Sequence, residues 1–279
     1  MADNRAIGVF DSGIGGLTVL REIISAVPGE STIYFGDDGR APYGTKSHDT
    51  IIKYSLQDMS FLKEQDVKMI VIACNTASTH AYEALSKVCD VPVVEVVNPG
   101  AKAAVESTRN GRIGIIATRA TISSGVYESA VRKFGKDIPD LKVVSQACPL
   151  FVSLAEEGWW DDEVTRLTAQ RYLAPLKEAG VDTVVLACTH YPLLASTISK
   201  VMGPDVTLIN SGIAVASVVK DILKSEDILS DGKNTTRHFY TSDDPMLFEQ
   251  VAAPFLGSGL PKGTRRVQVD KYDVKEFLC

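Results

Sequence analysis

Short apolar runs rich in β-branched residues alternate along the chain with longer amphipathic stretches. This alternation is typical of parallel α/β folds, in which buried strands are joined by surface helices. It predicts strands over 6–10, 32–35, 69–73, 93–96, 112–117, 141–145, 183–187, 206–209 and 238–241. Apolar residues recur at three- and four-residue steps over 49–64, 77–88, 161–179 and 214–224, which predicts helices there, with another beginning near 243–245. Right-handed crossovers would place helices on both faces of each sheet.

Two parts of the chain resemble each other. VKMIVIACNTASTHAY (67–82) aligns without gaps with VDTVVLACTHYPLLAS (181–196), and IGVFDSG (7–13) aligns in the same order with IGIIATR (113–119). The pattern suggests duplication of a unit of about 110 residues, the size of a small domain. Buried parallel strands resemble one another in any case, but that does not explain an Ala-Cys pair at the end of both longer runs.

Duplication predicts two similar parallel-sheet α/β domains related by pseudo-twofold symmetry, with the active site in the cleft between them. We assign 1–97 and 211–279 to the first domain and 98–210 to the second. Asn98-Pro99-Gly100 has turn chemistry and is interpreted as the first crossing. The second crossing is placed near Asn210-Ser211-Gly212, and 225–236 is interpreted as a polar loop.

Composition limits the classes of function. The 279 residues include 29 Lys and Arg against 35 Asp and Glu, a net charge of −6, with 45% hydrophobic residues. This balance argues against a nucleic-acid partner and against a disordered chain. Without a membrane-length apolar stretch or a signal peptide, we expect a cytoplasmic protein with no membrane partner. The five widely spaced cysteines include no CxxC pair, so we expect neither a disulfide framework nor a metal site.

Ligands of open α/β sheets bind beyond the carboxyl ends of the strands. The residues that directly follow the apolar runs are polar or reactive: Asp11-Ser12, Asp37-Asp38, Cys74-Asn75-Thr76, Thr118 to Thr121 and Cys188-Thr189-His190. They are the candidates for chemistry.

Cys74 and Cys188 each follow a strand and precede a predicted helix. Exposed N–H groups at a helix start favour thiolate, so we expect a lowered pKa and a role as bases. Cysteine is also among the most often buried residue types, but two cysteines in matching positions favour function. His190 and Asp11 are candidate proton-transfer partners, with a polar helix start and a turn or cap as their alternative interpretations.

Gly13-Ile14-Gly15-Gly16 raises the alternative of a dinucleotide site, with Asp37 about 20 residues further on. The fit is poor because Thr18 occupies the third glycine position and Asp11 would lie beside the pyrophosphate. The loop 40–44 either covers a small anionic ligand or forms a surface turn.

The motifs IGVFDSGIGGLTVL, FGDDGRAPYG, IACNTAST, IGIIATRAT, ACPLFVSLAEEG and LACTHYPLL occur in this order between residue 7 and about 212. Together they resemble the glutamate racemases of the aspartate/glutamate racemase family. The resemblance implies a cofactor-independent isomerase that interconverts L- and D-glutamate and supplies D-glutamate for peptidoglycan, and hence for cell-wall biogenesis and cell shape. It further implies that Cys74 deprotonates D-glutamate and Cys188 deprotonates L-glutamate, each thiol supplying the proton in the opposite direction.

By the same resemblance, Asp11 assists Cys74, His190 assists Cys188, and Glu156, or its neighbour Glu157, is a further acidic residue of the site. The implied substrate-binding residues are Asp11, Ser12, Tyr43, Gly44, Asn75, Thr76, Thr118, Thr121, Thr189 and His190. The sequence departs from the family pattern at Ala187, at Asp38-Gly39 and at Asn210, which puts fine specificity in doubt more than reaction type.

Two alternatives stay open. One is an aspartate or hydantoin racemase, or a related lyase or isomerase, with the same two cysteines. The other is a non-catalytic regulatory protein, against which the four intact residues Asp11, Cys74, Cys188 and His190 argue. The expected partner is a small-molecule substrate, and the oligomeric state, a homodimer included, stays open.

Overall fold

The strands form two parallel sheets in this computed structural model, which describes residues 2–257 and 263–277. The strands are β1 (Ile7–Asp11), β2 (Thr32–Gly36), β3 (Met69–Ile72), β4 (Val93–Glu95), β5 (Arg112–Ala117), β6 (Lys142–Ala147), β7 (Thr183–Ala187), β8 (Thr207–Asn210), β9 (Arg237–Thr241) and β10 (Arg265–Arg266). Sheet A has the order β10-β9-β2-β1-β3-β4, and sheet B has the order β6-β5-β7-β8. The predicted two-sheet α/β architecture is therefore confirmed, and the bounds of β1 to β9 lie within two residues of the predicted ones, whereas the short strand β10 is not predicted.

Helices cover both faces of each sheet. They are α1 (Leu17–Ala26), α2 (His48–Glu64), α3 (Asn75–Val88), α4 (Val97–Ser107), α5 (Arg119–Ser123), α6 (Val126–Phe134), α7 (Leu150–Glu156), α8 (Glu163–Glu178), α9 (Ala195–Met202), α10 (Ser211–Ser225) and α11 (Pro245–Leu256). Helices α1, α10 and α11 pack on one face of sheet A and α2 and α3 on the other. Sheet B lies between α4 and α6 on one face and α7, α8 and α9 on the other.

The two sheets share a four-strand order. β2-β1-β3-β4 in sheet A corresponds position by position to β6-β5-β7-β8 in sheet B. The repeated Ile-Gly pair has the same role in both: a Cβ on Gly8 would lie 3.2 Å from Leu62 of α2, and one on Gly114 would lie 2.5 Å from Leu176 of α8. In each sheet the glycine lets a helix approach the middle of the first strand. This correspondence supports the duplication predicted from the sequence.

The interpretation of Asn98-Pro99-Gly100 as a turn is wrong. These residues lie in the first turn of α4, where a proline is tolerated because early helical N–H groups have no intrahelical acceptor. The Glu95 carboxylate accepts hydrogen bonds from the backbone N–H groups of Val97 and Asn98 and so takes the place of a cap. The chain crosses to sheet B through a helix.

The proposed domain bounds stay a prediction. Strands β1 to β4 lie in sheet A and β5 to β8 in sheet B, and the chain then returns because β9 pairs with β2. Helix α10, which begins at the expected second crossing, packs against both α1 and α4. These features support a first unit made of 1–97 and 211–279 and a second made of 98–210.

Candidate active site

Cys74 lies between β3 and α3 and is buried. Its sulfur accepts a hydrogen bond from the backbone N–H of Ala77 at 3.4 Å, as a helix cap does, and lies 3.5 Å from Oγ of Ser12. The expected lowering of the thiol pKa is nevertheless wrong here. Burial, and then the negative charge of Asp11, raise the pKa of Cys74 to about 12. The residue is therefore a protonated thiol at neutral pH.

Asp11 ends β1 and is completely buried beside this thiol. Its carboxylate accepts hydrogen bonds from the backbone N–H of Gly13 at 3.0 Å and from the hydroxyl of Thr189 at 3.4 Å. Burial raises the pKa of Asp11 to about 6, although the charge of His190 and the backbone N–H groups of Gly16 and Gly13 lower it. The group thus exchanges protons near neutral pH, which suits proton transfer.

Cys188 follows β7 and is also buried. A 3-10 turn, Tyr191–Leu194, separates it from α9, so this cysteine does not cap an α-helix as Cys74 does. Its sulfur lies 3.9 Å from Nδ1 of His190. The direct partner of the second thiol is therefore an imidazole.

His190 has an acidic partner on its other nitrogen. Nε2 lies 3.0 Å from Oε1 of Glu156, whose side chain is 45% exposed, whereas the neighbouring Glu157 is exposed and does not contact the ring. Burial by itself lowers the pKa of His190, but the hydrogen bonds to Cys188 and Glu156 outweigh it and raise the pKa to about 10. The ring is an imidazolium at neutral pH. Of the two acidic candidates, Glu156 faces the site.

Contacts between the two sheets join the two thiol environments. Besides the contact of Thr189 with Asp11, the hydroxyl of Thr18 on α1 donates to the backbone carbonyl of Thr189 at 2.8 Å. A Cβ on Gly15 would lie 2.3 Å from Oγ1 of Thr189, and one on Gly16 would lie 2.4 Å from Cβ of Asp11. Gly15 is thus required for close approach of the two halves and Gly16 for packing of the start of α1 on β1, which leaves the dinucleotide alternative without support.

Three threonine hydroxyls form a second bridge. Oγ1 of Thr76, on α3, lies 3.0 Å from Oγ1 of Thr118 and 3.1 Å from Oγ1 of Thr121, and the last two are 3.0 Å apart. Next to them, Oδ1 of Asn75 accepts a hydrogen bond from the hydroxyl of Tyr127 at 2.6 Å. The candidate binding residues Asn75, Thr76, Thr118 and Thr121 are therefore brought together across the two sheets.

The side chain of Tyr43 contacts buried carboxylates of the protein interior. Its side chain is completely buried, and its hydroxyl contacts the carboxylates of Asp37 and Asp58. Arg40 pairs with the same two carboxylates at 2.7 and 2.8 Å, so its charge is directed inward and not toward a ligand. Gly44 does reach the site, since a Cβ there would lie 2.9 Å from Thr118. The side chains of Arg40 and Tyr43 thus fix the loop 40–44 to Asp37 and Asp58, and the backbone at Gly44 lies against the candidate site.

Some partners could not be found from local sequence patterns. Asp58 pairs with Arg40, and Tyr127 donates a hydrogen bond to Asn75. The ring of Phe255 packs against His190. In each pair the two residues lie on elements that are distant in the chain. The only local signal for any of them is an apolar or amphipathic helix, which carries no indication of a site.

Cys148 packs in the same core cluster as Cys188, but among the described residues neither its side chain nor that of Cys89 forms a hydrogen bond with a candidate site residue. Cys148 is buried with a raised pKa, first because of burial, and Cys89 is half-buried at the end of α3. Cys279 lies outside the described residues. Over residues 2–257 and 263–277, no group of three or more His, Cys, Asp or Glu side chains is arranged to hold a metal ion. In the same part of the chain, no helix combines the length and apolar character that crossing a bilayer requires.

Known proteins share this arrangement of elements. The model of the Asp/Glu/Hydantoin racemase family matches residues 7–219. The chain belongs to this family. A glutamate racemase of Geobacter metallireducens is 51% identical to this racemase over 257 residues, which cover 92% of this chain and 94% of that protein.

Solved structures agree with the family assignment. A glutamate racemase isoform of Bacillus anthracis superposes with a TM-score of 0.90 at 39% identity, covering 95% of this chain and 98% of that one. A glutamate racemase of Francisella tularensis in complex with D-glutamate gives a TM-score of 0.89 at 38% identity, covering 97% and 100% of the two chains. The predicted family and the predicted enzyme class, an amino-acid racemase, are confirmed.

Proposed function

We propose that this racemase interconverts L- and D-glutamate without a cofactor or metal, by a two-base mechanism that uses Cys74 and Cys188. The observation that carries the proposal is the pair of buried thiols after the equivalent strands β3 and β7, one within reach of the charge of Asp11 and the other in contact with His190. Asp11 and Thr189, which touch each other, connect the two environments. The glutamate racemases that match more than nine-tenths of the chain support glutamate as the substrate.

The two thiols have different roles when L-glutamate binds. Cys188 removes the α-proton, and the imidazolium of His190 offsets the negative charge that a thiolate carries. Cys74, held as a thiol by burial and by Asp11, donates its proton to the opposite face of the planar intermediate. In the reverse direction the positively charged α-ammonium group of D-glutamate favours ionisation of Cys74, with Asp11 as the neighbouring proton acceptor.

The α-proton of an amino acid is far less acidic than a thiol, so the carbanion-like intermediate needs fixed hydrogen-bond donors. Backbone N–H groups at the start of α3 and the side chains of Asn75, Thr76 and Thr189 are the proposed donors. Ser12, the backbone of Gly44, Thr118 and Thr121 complete the proposed binding set, whereas Tyr43 supports it from beneath. Closure of the two sheets on the substrate would exclude water and strengthen each of these interactions.

The proposed cellular role follows from the product. A cytoplasmic glutamate racemase supplies D-glutamate for peptidoglycan, so the gene should restore growth of a bacterial strain that requires added D-glutamate. A C188A variant should not restore growth. Growth supported equally well by the variant would contradict the role.

The mechanism is tested by racemisation in heavy water, with glutamate and aspartate compared as substrates. Two bases predict that the product enantiomer carries solvent deuterium at the α-carbon from the first turnovers, while unreacted substrate keeps protium. C74A and C188A should both lose racemisation, and C89A, which alters a half-buried thiol away from the site, should retain it. Product that retains the substrate's own proton, or turnover of aspartate alone, would overturn the proposal.

A further inference from the structure

The phenyl ring of Phe255 lies against the imidazole of His190. The ring centroids are 5.4 Å apart and the ring planes meet at 82°, an edge-to-face arrangement. Phe255 is 1% exposed and His190 is 7% exposed, so both rings are withdrawn from water. The contact is therefore fixed by packing and is not a chance approach at the surface.

The contact joins two parts of the molecule. Phe255 lies near the end of α11, which follows β9 of sheet A, whereas His190 follows β7 of sheet B. Helix α11 packs on α1, and a Cβ on Gly257, just after α11, would lie 3.3 Å from the Arg21 side chain. The C-terminal helix of the first unit thus reaches across to the proton-transfer group of the second.

The other sides of the imidazole are already occupied. Nδ1 faces the sulfur of Cys188 at 3.9 Å and the hydroxyl of Thr189 at 3.5 Å, Nε2 faces Glu156 at 3.0 Å, and the Cε1 edge faces Gly15. The contact from Nδ1 to the sulfur is long, and the Glu156 side chain is partly exposed, so these two contacts restrain rotation of the ring about its Cβ–Cγ bond only weakly. Such a rotation would move Nδ1 away from the sulfur, and misplacement by about 1 Å can lower a rate about 100-fold.

We propose that Phe255 is a positioning residue for His190, holding the imidazole in the orientation that brings Nδ1 to the sulfur of Cys188. Phe255 packs edge-to-face against the imidazole and has no polar atom to offer to the substrate. The inference rests on the proposed role of His190 in racemisation. It adds that the C-terminal helix sets the reactivity of the second thiol.

The test compares F255L and F255M, which keep an apolar side chain but remove the ring, with F248L as the matched control. Phe248 lies two turns earlier on the same helix and is equally buried, but its ring packs on Tyr34 with centroids 6.2 Å apart. F255L and F255M should lower kcat about tenfold and change KM by less than about twofold, because orientation and not binding is lost. F248L should keep a kcat within about twofold of the wild type.

Imidazole NMR provides a measurement that does not depend on turnover. The chain has four histidines, so the His190 signals can be assigned by their loss in H190Q. The wild type should show a nuclear Overhauser effect between the two rings. In F255L or F255M the titration midpoint of His190 should fall by about one pH unit, because the ring moves away from Cys188 and Glu156.

The outcomes separate the two proposals. Absence of the ring-to-ring effect in the folded wild type, or ring-deletion variants whose kcat and His190 titration match those of F248L, would overturn the role of Phe255. A wild type that is folded and shows the ring contact but does not racemise glutamate would overturn the proposed function, leaving the positioning of His190 supported by its titration.

Discussion

Gly15 lies so close to His190 that a Cβ atom on the glycine would come within 2.5 Å of Cε1 of the imidazole. Real Cβ contacts of this length do not occur, so any side chain here must push the ring or the whole of sheet B away. G15A should therefore lower kcat/KM about 100-fold while the protein stays folded.

Steady-state racemisation and circular dichroism of the variant check this expectation. G13A is the matched comparison in the same loop, because its Cβ would lie 3.8 Å from Cβ of Ala41, an ordinary contact, and it should be far less impaired. A G15A enzyme as active as G13A would show that the approach of the two halves is not needed for turnover.

The buried carboxylate of Asp11 should lower the free energy of unfolding while it supports catalysis. Burial raises its folded pKa to about 6, above the ordinary 3.8, so the fold disfavours the carboxylate. Above pH 6 this cost reaches up to about 3 kcal/mol, and it disappears below about pH 4, where the group is protonated in both states. D11N keeps an oxygen acceptor for the N–H of Gly13, so it should unfold at higher denaturant concentration than the wild type at pH 8, but not at pH 4.

Urea unfolding at the two pH values, followed by fluorescence, measures the difference. D137N, which changes an exposed carboxylate, should match the wild type at both. If D11N proved less stable than the wild type at pH 8, Asp11 would be a stabilising charge and its raised pKa would be wrong. Its kcat/KM should fall in either case.

Glu156 predicts a shift in the alkaline limit of activity. It contributes to the raised pKa of His190, about 10, and Gln in its place keeps an acceptor but removes the negative charge. The imidazolium should then be lost at lower pH, so the alkaline limb of kcat/KM should move down by roughly one pH unit, a modest shift because Glu156 is partly exposed.

Profiles of kcat/KM between pH 6 and about 10.5 for E156Q and E157Q provide the comparison. Glu157 adjoins Glu156 but, within the described chain, its side chain makes no hydrogen bond. Equal profiles for the two variants would remove Glu156 from the proton-transfer chain.

The threonine cluster predicts a defect in substrate binding. Thr118 is bonded to both Thr76 and Thr121, and Val preserves its shape while removing the hydroxyl. T118V should raise KM for glutamate about tenfold, since a good hydrogen bond contributes about 1 kcal/mol and one partner is left unsatisfied. T79V is the control because that hydroxyl bonds only its own helix, at the carbonyl of Thr76. An unchanged KM in T118V would exclude this hydroxyl from the binding set.

Local pattern was enough to predict the strands other than β10 and the position of the two thiols at the ends of β3 and β7. Cys74 and Cys188 follow buried apolar runs, and parallel strands deliver the residues after them to one edge of a sheet. The direction of the Cys74 pKa could not be predicted in this way, since it depends on burial and on Asp11, which comes from another strand. The crossing at 98–100 was mistaken because Asn, Pro and Gly favour both turns and the first turn of a helix.

Contacts between elements that are distant in the chain could not be predicted from the sequence. The place of Tyr43 in the substrate-binding set stays a prediction, but the contact of its hydroxyl with Asp58, on α2, could not be predicted. Nothing in the amphipathic pattern of α2 distinguishes a buried carboxylate that anchors a loop from one that faces water. The contact of Phe255 with His190 is similar, because it depends on how α11 packs after the chain has returned to sheet A.

The inward direction of Arg40 determines how selectivity between related acids can be altered. Its guanidinium is neutralised by Asp37 and Asp58, so under the proposed function the two carboxylates of the substrate would be recognised by hydroxyl and amide donors at fixed positions and not by this guanidinium. Such donors select a substrate by the length and shape of its carbon chain. Preference for a longer or shorter dicarboxylate should therefore change when hydroxyls such as those of Thr118 and Thr121 are moved, and respond little when surface charges are added or when ionic strength is varied.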